Sequence, residues 1–142
     1  SSIDPMLFTI EGRVKNKKAV DIYVQELLKI LNIHRRRSSE LSIKFVTKLD
    51  DDVLGLASGG PRWGEVEIAR TSEGEPQQFF EQMITLSHEM IHIKQYMKNE
   101  LSPNTEFKSD EIPYKNQPWE QEAAKFEYLY FAQAFPWYMK IN

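Results

Sequence analysis

The sequence predicts an α+β fold made of short strands and three amphipathic helices. Two kinds of pattern indicate this fold. Some segments alternate apolar and polar residues with a period of two, as strands with one buried face do, whereas others repeat apolar residues every three or four positions, as helices do. A length of 142 residues fits one compact domain, which we take to span residues 1–142.

The first half of the chain predicts strand, helix, strand. Residues 6–14 favour the extended state, and Asn16 is placed to cap a helix that runs to about residue 32. Residues 41–49 alternate cleanly between apolar and polar side chains, which predicts a half-buried strand. The apolar positions of the predicted helix recur at steps of four, three and four: Val20, Val24, Leu27 and Leu31.

The second half predicts one more strand and two helices. Residues 58–61, Ser-Gly-Gly-Pro, have the composition of a turn, and residues 63–70 alternate with a charged face that suits an edge strand. Residues 77–98 predict a long helix, and a final helix starts near Pro118 and ends or kinks at Pro136. The apolar stripe of the long helix is Phe79, Met83, Leu86, Met90, Ile93 and Met97.

Composition excludes several classes of protein. The chain has no cysteine, which rules out disulfides, thiolate metal sites and a cysteine nucleophile. A net charge of −3 gives no overall field that would attract nucleic acid. No apolar run approaches the roughly 20 residues that span a bilayer, and no leader is apparent, so we expect a cytoplasmic protein without a membrane partner.

The long helix carries the one motif with clear chemistry, His88-Glu-Met-Ile-His92. Two histidines four residues apart lie on one helical face, so both imidazoles can reach a single metal ion. Glu89 projects beside them, where it can accept a proton from water activated by the metal. The sequence therefore predicts a zinc site with His88 and His92 as ligands and Glu89 as general base.

A catalytic zinc site needs a third protein ligand. Position 95 is Gln and position 98 is Lys, which excludes the extended motif with a third histidine, and His34 lies far away in the sequence. A carboxylate near the start of the last helix is the better candidate. We favour Glu122, because small residues follow it, and keep Glu120 as the alternative; Asp110 and Glu111 remain as less favoured candidates.

The motif and its surroundings resemble a known family. His-Glu-Met-Ile-His-Ile-Lys-Gln-Tyr, followed by Tyr114-Lys-Asn-Gln-Pro-Trp-Glu-Gln-Glu-Ala, is similar to the small gluzincin-type metallopeptidases encoded by bacteriophages, over about residues 41–130. The resemblance implies a minimal zincin-like fold with a packing helix, a mixed sheet of three to four strands and two site helices. It also implies Glu122 as the third zinc ligand, and host cytoplasm as the location if the chain is phage-encoded.

These expectations combine into a zinc metallopeptidase that acts on a peptide or protein substrate. Tyr114, just before the ligand helix, is a candidate donor to the oxyanion, although packing in the loop explains it equally well. The strand at residues 64–70 could hold an extended substrate, and its Glu65 and Glu67 would disfavour acidic ones. The alternatives are a zincin-like protein that binds peptides with little catalysis, and a SprT-like DNA-associated protease.

Overall fold

The computed structural model describes residues 6–102 and 111–136 and has the predicted α+β architecture. Short 3-10 turns at Asp50–Asp52 and Tyr114–Asn116 connect some of its elements. In chain order the strands and helices are β1 (Leu7–Gly12), α1 (Lys17–Ile30), β2 (Glu40–Val46), β3 (Gly55–Gly60), β4 (Trp63–Ala69), β5 (Thr71–Ser72), β6 (Glu75–Pro76), α2 (Phe79–Met97) and α3 (Pro118–Ala134).

Four strands form one mixed sheet in the order β1-β2-β4-β3. Strand β2 pairs parallel to both β1 and β4, whereas β3 pairs antiparallel to β4 through a tight turn at residues 61–62. Helix α1 makes the crossover that the parallel β1–β2 pair requires. Its N-terminus is capped as predicted, because the Asn16 side chain accepts a hydrogen bond from the Ala19 amide at 3.0 Å.

The helices cover one face of this sheet. Along β2 and β4 the buried residues alternate with more exposed ones, so the sheet has one core face and one face toward solvent. Helix α2 packs on β3 and β4, and α3 packs on α2 and α1. The apolar stripe of α2 is buried as predicted from Met83 to Met97, and Tyr23 of α1 donates a 2.6 Å hydrogen bond to the Met83 carbonyl oxygen.

The predicted position of one strand in the sheet was wrong. The segment 63–70 was expected at an edge, but β4 lies between β2 and β3. Glu65 and Glu67 do alternate with the buried residues Val66 and Ile68. This alternation indicates which face of the sheet is exposed to solvent, but not which strands lie beside β4. Glu65 and Glu67 therefore lie on the face away from α2, and the edge beside α2 is β3.

Strand β3 was missed because its sequence, GLASGG, looks like a turn. Its glycines have a packing reason. A Cβ at Gly55 would lie 2.8 Å from the Thr85 Cγ2 atom and 2.9 Å from the Glu89 Cγ atom, so only glycine lets this strand approach α2 so closely. The hairpin β5–β6, also unpredicted, leads into α2. None of the described helices has the length and apolarity to cross a bilayer.

Candidate metal centre

The two motif histidines and one carboxylate of α3 meet at a common point. The Nε2 atoms of His88 and His92 lie 3.0 Å from the Oε1 and Oε2 atoms of Glu120, respectively. One ligand atom from each of these three residues lies within 4.8 Å of the others. Ligands about 2.1 Å from a tetrahedral zinc ion are about 3.4 Å apart, a separation within the 4.8 Å spread of this group.

Both imidazoles are held from behind through their other ring nitrogen. His88 Nδ1 lies 2.8 Å from the Glu127 Oε1 atom, and His92 Nδ1 lies 2.7 Å from the Gln95 Oε1 atom. A carboxylate or amide oxygen can only accept a hydrogen bond, so each Nδ1 carries the proton. Without metal each Nε2 can likewise donate to Glu120, and loss of that Nε2 proton would leave a lone pair directed at the shared point, as in histidines that bind metals.

The donor set therefore fits a zinc ion. Two imidazoles and one carboxylate are ligands that zinc accepts, and three protein ligands leave a fourth position for water. The site lies between α2 and α3, which the Ser87 hydroxyl joins by donating a 2.8 Å hydrogen bond to the Glu127 carbonyl oxygen. In this setting His88, Glu120 and Glu127 are partly buried and His92 is buried.

The carboxylate beside the two histidines is that of Glu120, and not that of Glu122, which was favoured from the sequence. Glu122 points elsewhere: its Oε1 atom accepts a 2.7 Å hydrogen bond from Gln95, and its Oε2 atom accepts one from Lys94 at 2.9 Å. Residues two apart on a helix diverge by about 200°, so only one of the two carboxylates can face the histidines. Of the less favoured candidates, Glu111 is exposed and outside the group, and Asp110 lies outside the described residues.

The periodicity of α3 contained the signal for Glu120. Positions 120, 123, 127, 131 and 134 lie on one helical face, and Ala123, Phe131 and Ala134 of this set are buried. Glu120 and Glu127 therefore point toward α2, which explains both contacts with His88. Neither Glu127 nor Gln95 was predicted from the sequence as a partner of the histidines.

Glu122 instead supports the residue that holds His92. The Gln95 Nε2 atom donates to the Glu122 Oε1 atom and, at 3.0 Å, to the Trp119 carbonyl oxygen. These two acceptors fix the orientation of the amide, so that its oxygen faces His92. Gln95 is 1% exposed, which protects this hydrogen-bond chain from competition with water.

The carboxylates dominate the electrostatics of the group. Burial alone would lower the pKa of His88, but its hydrogen bonds with Glu120 and Glu127 outweigh burial and raise that pKa to about 9. Burial would raise the pKa of Glu120, yet its hydrogen bonds with His88 and His92 hold it well below the ordinary value. Glu120 is thus ionised throughout the physiological pH range, as a metal ligand must be.

Glu89 lies beside this group and is nearly buried. Burial raises its pKa above the ordinary carboxyl value, and the neighbouring histidines only partly oppose that shift. Its side chain contacts Gly55 of β3, so the edge strand, Glu89 and the three-residue group border the same space. This placement agrees with the position expected of a proton acceptor.

Tyr114 also reaches the group, although its ring is largely exposed. Its hydroxyl donates a 2.7 Å hydrogen bond to the Glu120 Oε1 atom. Burial of the hydroxyl and this hydrogen bond to a carboxylate both raise the pKa of Tyr114, so it remains a hydrogen-bond donor at neutral pH. The sequence-predicted residues His88, Glu89, His92 and Tyr114 are therefore together, with Glu120 in place of Glu122.

A cavity of about 590 Å³ opens in front of these residues. One wall is the region around β3, and the other comes from the 3-10 turn before α3 and the start of α3. Its lining residues are Val53, Leu54, Gly55, Leu56, Ala57, Thr85, His88, Glu89, His92, Tyr96, Leu101, Tyr114, Gln117, Trp119, Glu120 and Glu127.

No protein-family model, curated protein or solved structure matches this chain.

Proposed function

We propose that this protein is a zinc-dependent metallopeptidase, with His88, His92 and Glu120 as zinc ligands. The observation that carries the proposal is the convergence of two Nε2 atoms and one carboxylate, each imidazole being oriented by a hydrogen bond at its other ring nitrogen. Bound zinc would lower the pKa of a water molecule and would polarise the substrate carbonyl. The motif's resemblance to phage gluzincins supports the same reading.

Glu89 is the proposed general base. It adjoins the ligand group, faces the cavity and has a raised pKa, which brings its basicity closer to that needed for proton transfer near neutral pH. In hydrolysis it would accept a proton from the attacking water and pass it to the departing amine. The Tyr114 hydroxyl, already at the Glu120 carboxylate, is the proposed donor to the oxyanion of the substrate.

The exposed edge of β3 offers a way to hold the substrate. Within residues 6–102 and 111–136 this strand pairs with β4 alone, and Gly55 to Ala57 line the cavity. An extended peptide could add to this edge through main-chain hydrogen bonds. In this proposal β3, and not β4 as expected from the sequence, holds the extended substrate. The cytoplasmic location and the peptide or protein substrate remain predictions.

The test compares the zinc-loaded protein with its Glu89→Gln variant on a mixture of unstructured peptides, with cleavage measured by mass spectrometry. Glu89→Gln preserves size and removes the base, so we expect at least a hundredfold loss of hydrolysis with zinc still bound. Equal cleavage by the two proteins would overturn the role of Glu89. Peptide binding without any cleavage by the wild-type protein would favour the non-enzymatic alternative.

A further inference from the structure

The cavity has an unusual balance of charge. Three carboxylates line it, those of Glu89, Glu120 and Glu127, and none of its described lining residues is Lys or Arg. Lys94 is nearby on α2, but Glu100 and Glu122 both accept hydrogen bonds from its ammonium group. Because a zinc ion carries two positive charges, three ionised carboxylates leave the loaded cavity with a net negative charge.

One end of the cavity is apolar and aromatic. Tyr96 follows His92 by one helical turn, and with Leu101 and Trp119 it lines the space beyond the ligand group. We call these three residues the aromatic end. Gly59 of β3 lets the strand come close to Tyr96, since a Cβ there would lie 3.2 Å from the Tyr96 Cβ atom.

These two features define a substrate class. We infer that the cavity takes an uncharged interior segment of an extended polypeptide, places a large apolar side chain at the aromatic end, and rejects carboxylates near the scissile bond. The inference rests on the proposed peptidase function. It distinguishes an endopeptidase from a carboxypeptidase, because a site for a free C-terminus needs a cation to pair with the terminal carboxylate.

The size of the discrimination follows from electrostatics. Two unit charges about 8 Å apart, at an effective dielectric constant between those of a protein surface and water, change an affinity by roughly tenfold. A glutamate beside the scissile bond, or a free C-terminal carboxylate within the cavity, should therefore weaken binding about tenfold relative to a neutral peptide.

The experiment measures binding and cleavage separately. Binding is measured by calorimetry on the zinc-loaded wild-type protein, which keeps all three cavity carboxylates, with peptides whose central amide bond is N-methylated to prevent cleavage. The first is a blocked six-residue peptide with a central Phe-Leu pair, the second has Glu for Leu, and the third is the first peptide shortened to end in a free carboxylate after Leu. We expect the first peptide to bind about tenfold more tightly than the other two. Equal binding of the three peptides, or no binding of any, would overturn the inference.

A matched pair of variants tests whether cavity charge is the cause. Val53 lines the cavity and is 37% exposed, whereas Leu129 of α3 is 47% exposed and is not among the lining residues. With the same uncleavable peptides, Val53→Lys should bring binding of the glutamate peptide within about threefold of the neutral one, and Leu129→Lys should leave the difference unchanged. Equal effects of the two lysines would contradict the inference.

Cleavage by the wild-type protein then separates the two proposals. Selective binding of the uncleavable peptides, with no cleavage of the ordinary neutral peptide by the wild-type protein, would overturn the peptidase proposal and leave the selectivity standing. Cleavage of the neutral and the glutamate peptides at equal rates would do the reverse.

Discussion

Exchange of Glu120 for glutamine should weaken zinc binding far more than the same exchange at Glu122. The Glu120 oxygens lie 3.0 Å from both Nε2 atoms, whereas Glu122 reaches the site only through Gln95. Zinc sites with four protein ligands have apparent binding free energies of roughly 12 kcal/mol, so one ligand accounts for about 3 kcal/mol, or about a hundredfold in Kd. For Glu122→Gln we expect at most about tenfold, as for outer partners of metal ligands.

The two variants are well matched, because both remove one negative charge from the first turns of α3 and both keep the side-chain size. Competition with a chelating dye would give the zinc Kd of each protein, and thermal unfolding after chelation would show whether each metal-free protein remains folded. If Glu122→Gln lost more zinc affinity than Glu120→Gln while both proteins stayed folded, the assignment of the third ligand would be refuted.

Three further predictions concern the surroundings of the site and the core. Gln95→Leu should weaken zinc binding 10- to 100-fold by removing the oxygen that holds His92, and an unchanged zinc Kd would contradict that role. Zinc affinity should rise with pH up to about 9, since the ion must displace the proton that His88 holds below its raised pKa, whereas an ordinary histidine with pKa 6.5 would level off near pH 7. Tyr23→Phe should lower the free energy of unfolding by about 1 kcal/mol through loss of a buried hydrogen bond, while Tyr128→Phe at an exposed position should not; chemical denaturation measures both.

The raised pKa of His88 also has a consequence for the metal-free protein. Because the pKa of His88 is higher in the folded than in the unfolded protein, its protonated imidazole stabilises the fold. This stabilisation is complete below pH 6.5 and disappears as pH rises through about 9. Zinc should therefore matter most to stability at alkaline pH, where the bridging protons are gone and the ion replaces them.

The sequence was most informative where one residue type decided the geometry. The spacing of His88 and His92 placed both imidazoles on one face, and the apolar stripe correctly predicted the buried face of α2. Asn16 was correctly identified as a cap because a short side-chain oxygen at a helix start has few other uses. The α+β class followed from these local periodicities.

Tertiary contacts decided the features that were missed. Strand β3 is rich in glycine because Gly55 and Gly59 lie against α2, a constraint that no local pattern records. The order of strands in the sheet could not be deduced from alternation, which reports a solvent face and not a neighbour. The preference for Glu122 followed the small residues after it, although Ala123 shares its face with Glu120.

The central claim is that His88, His92 and Glu120 bind one zinc ion. Crystals of the protein grown with zinc, measured on both sides of the zinc absorption edge, test it directly. We expect one anomalous peak about 2.1 Å from the Nε2 atoms of both histidines and from a carboxylate oxygen of Glu120. A zinc peak coordinated by Glu122, or the absence of zinc between the two histidines in a fully folded protein, would contradict the account.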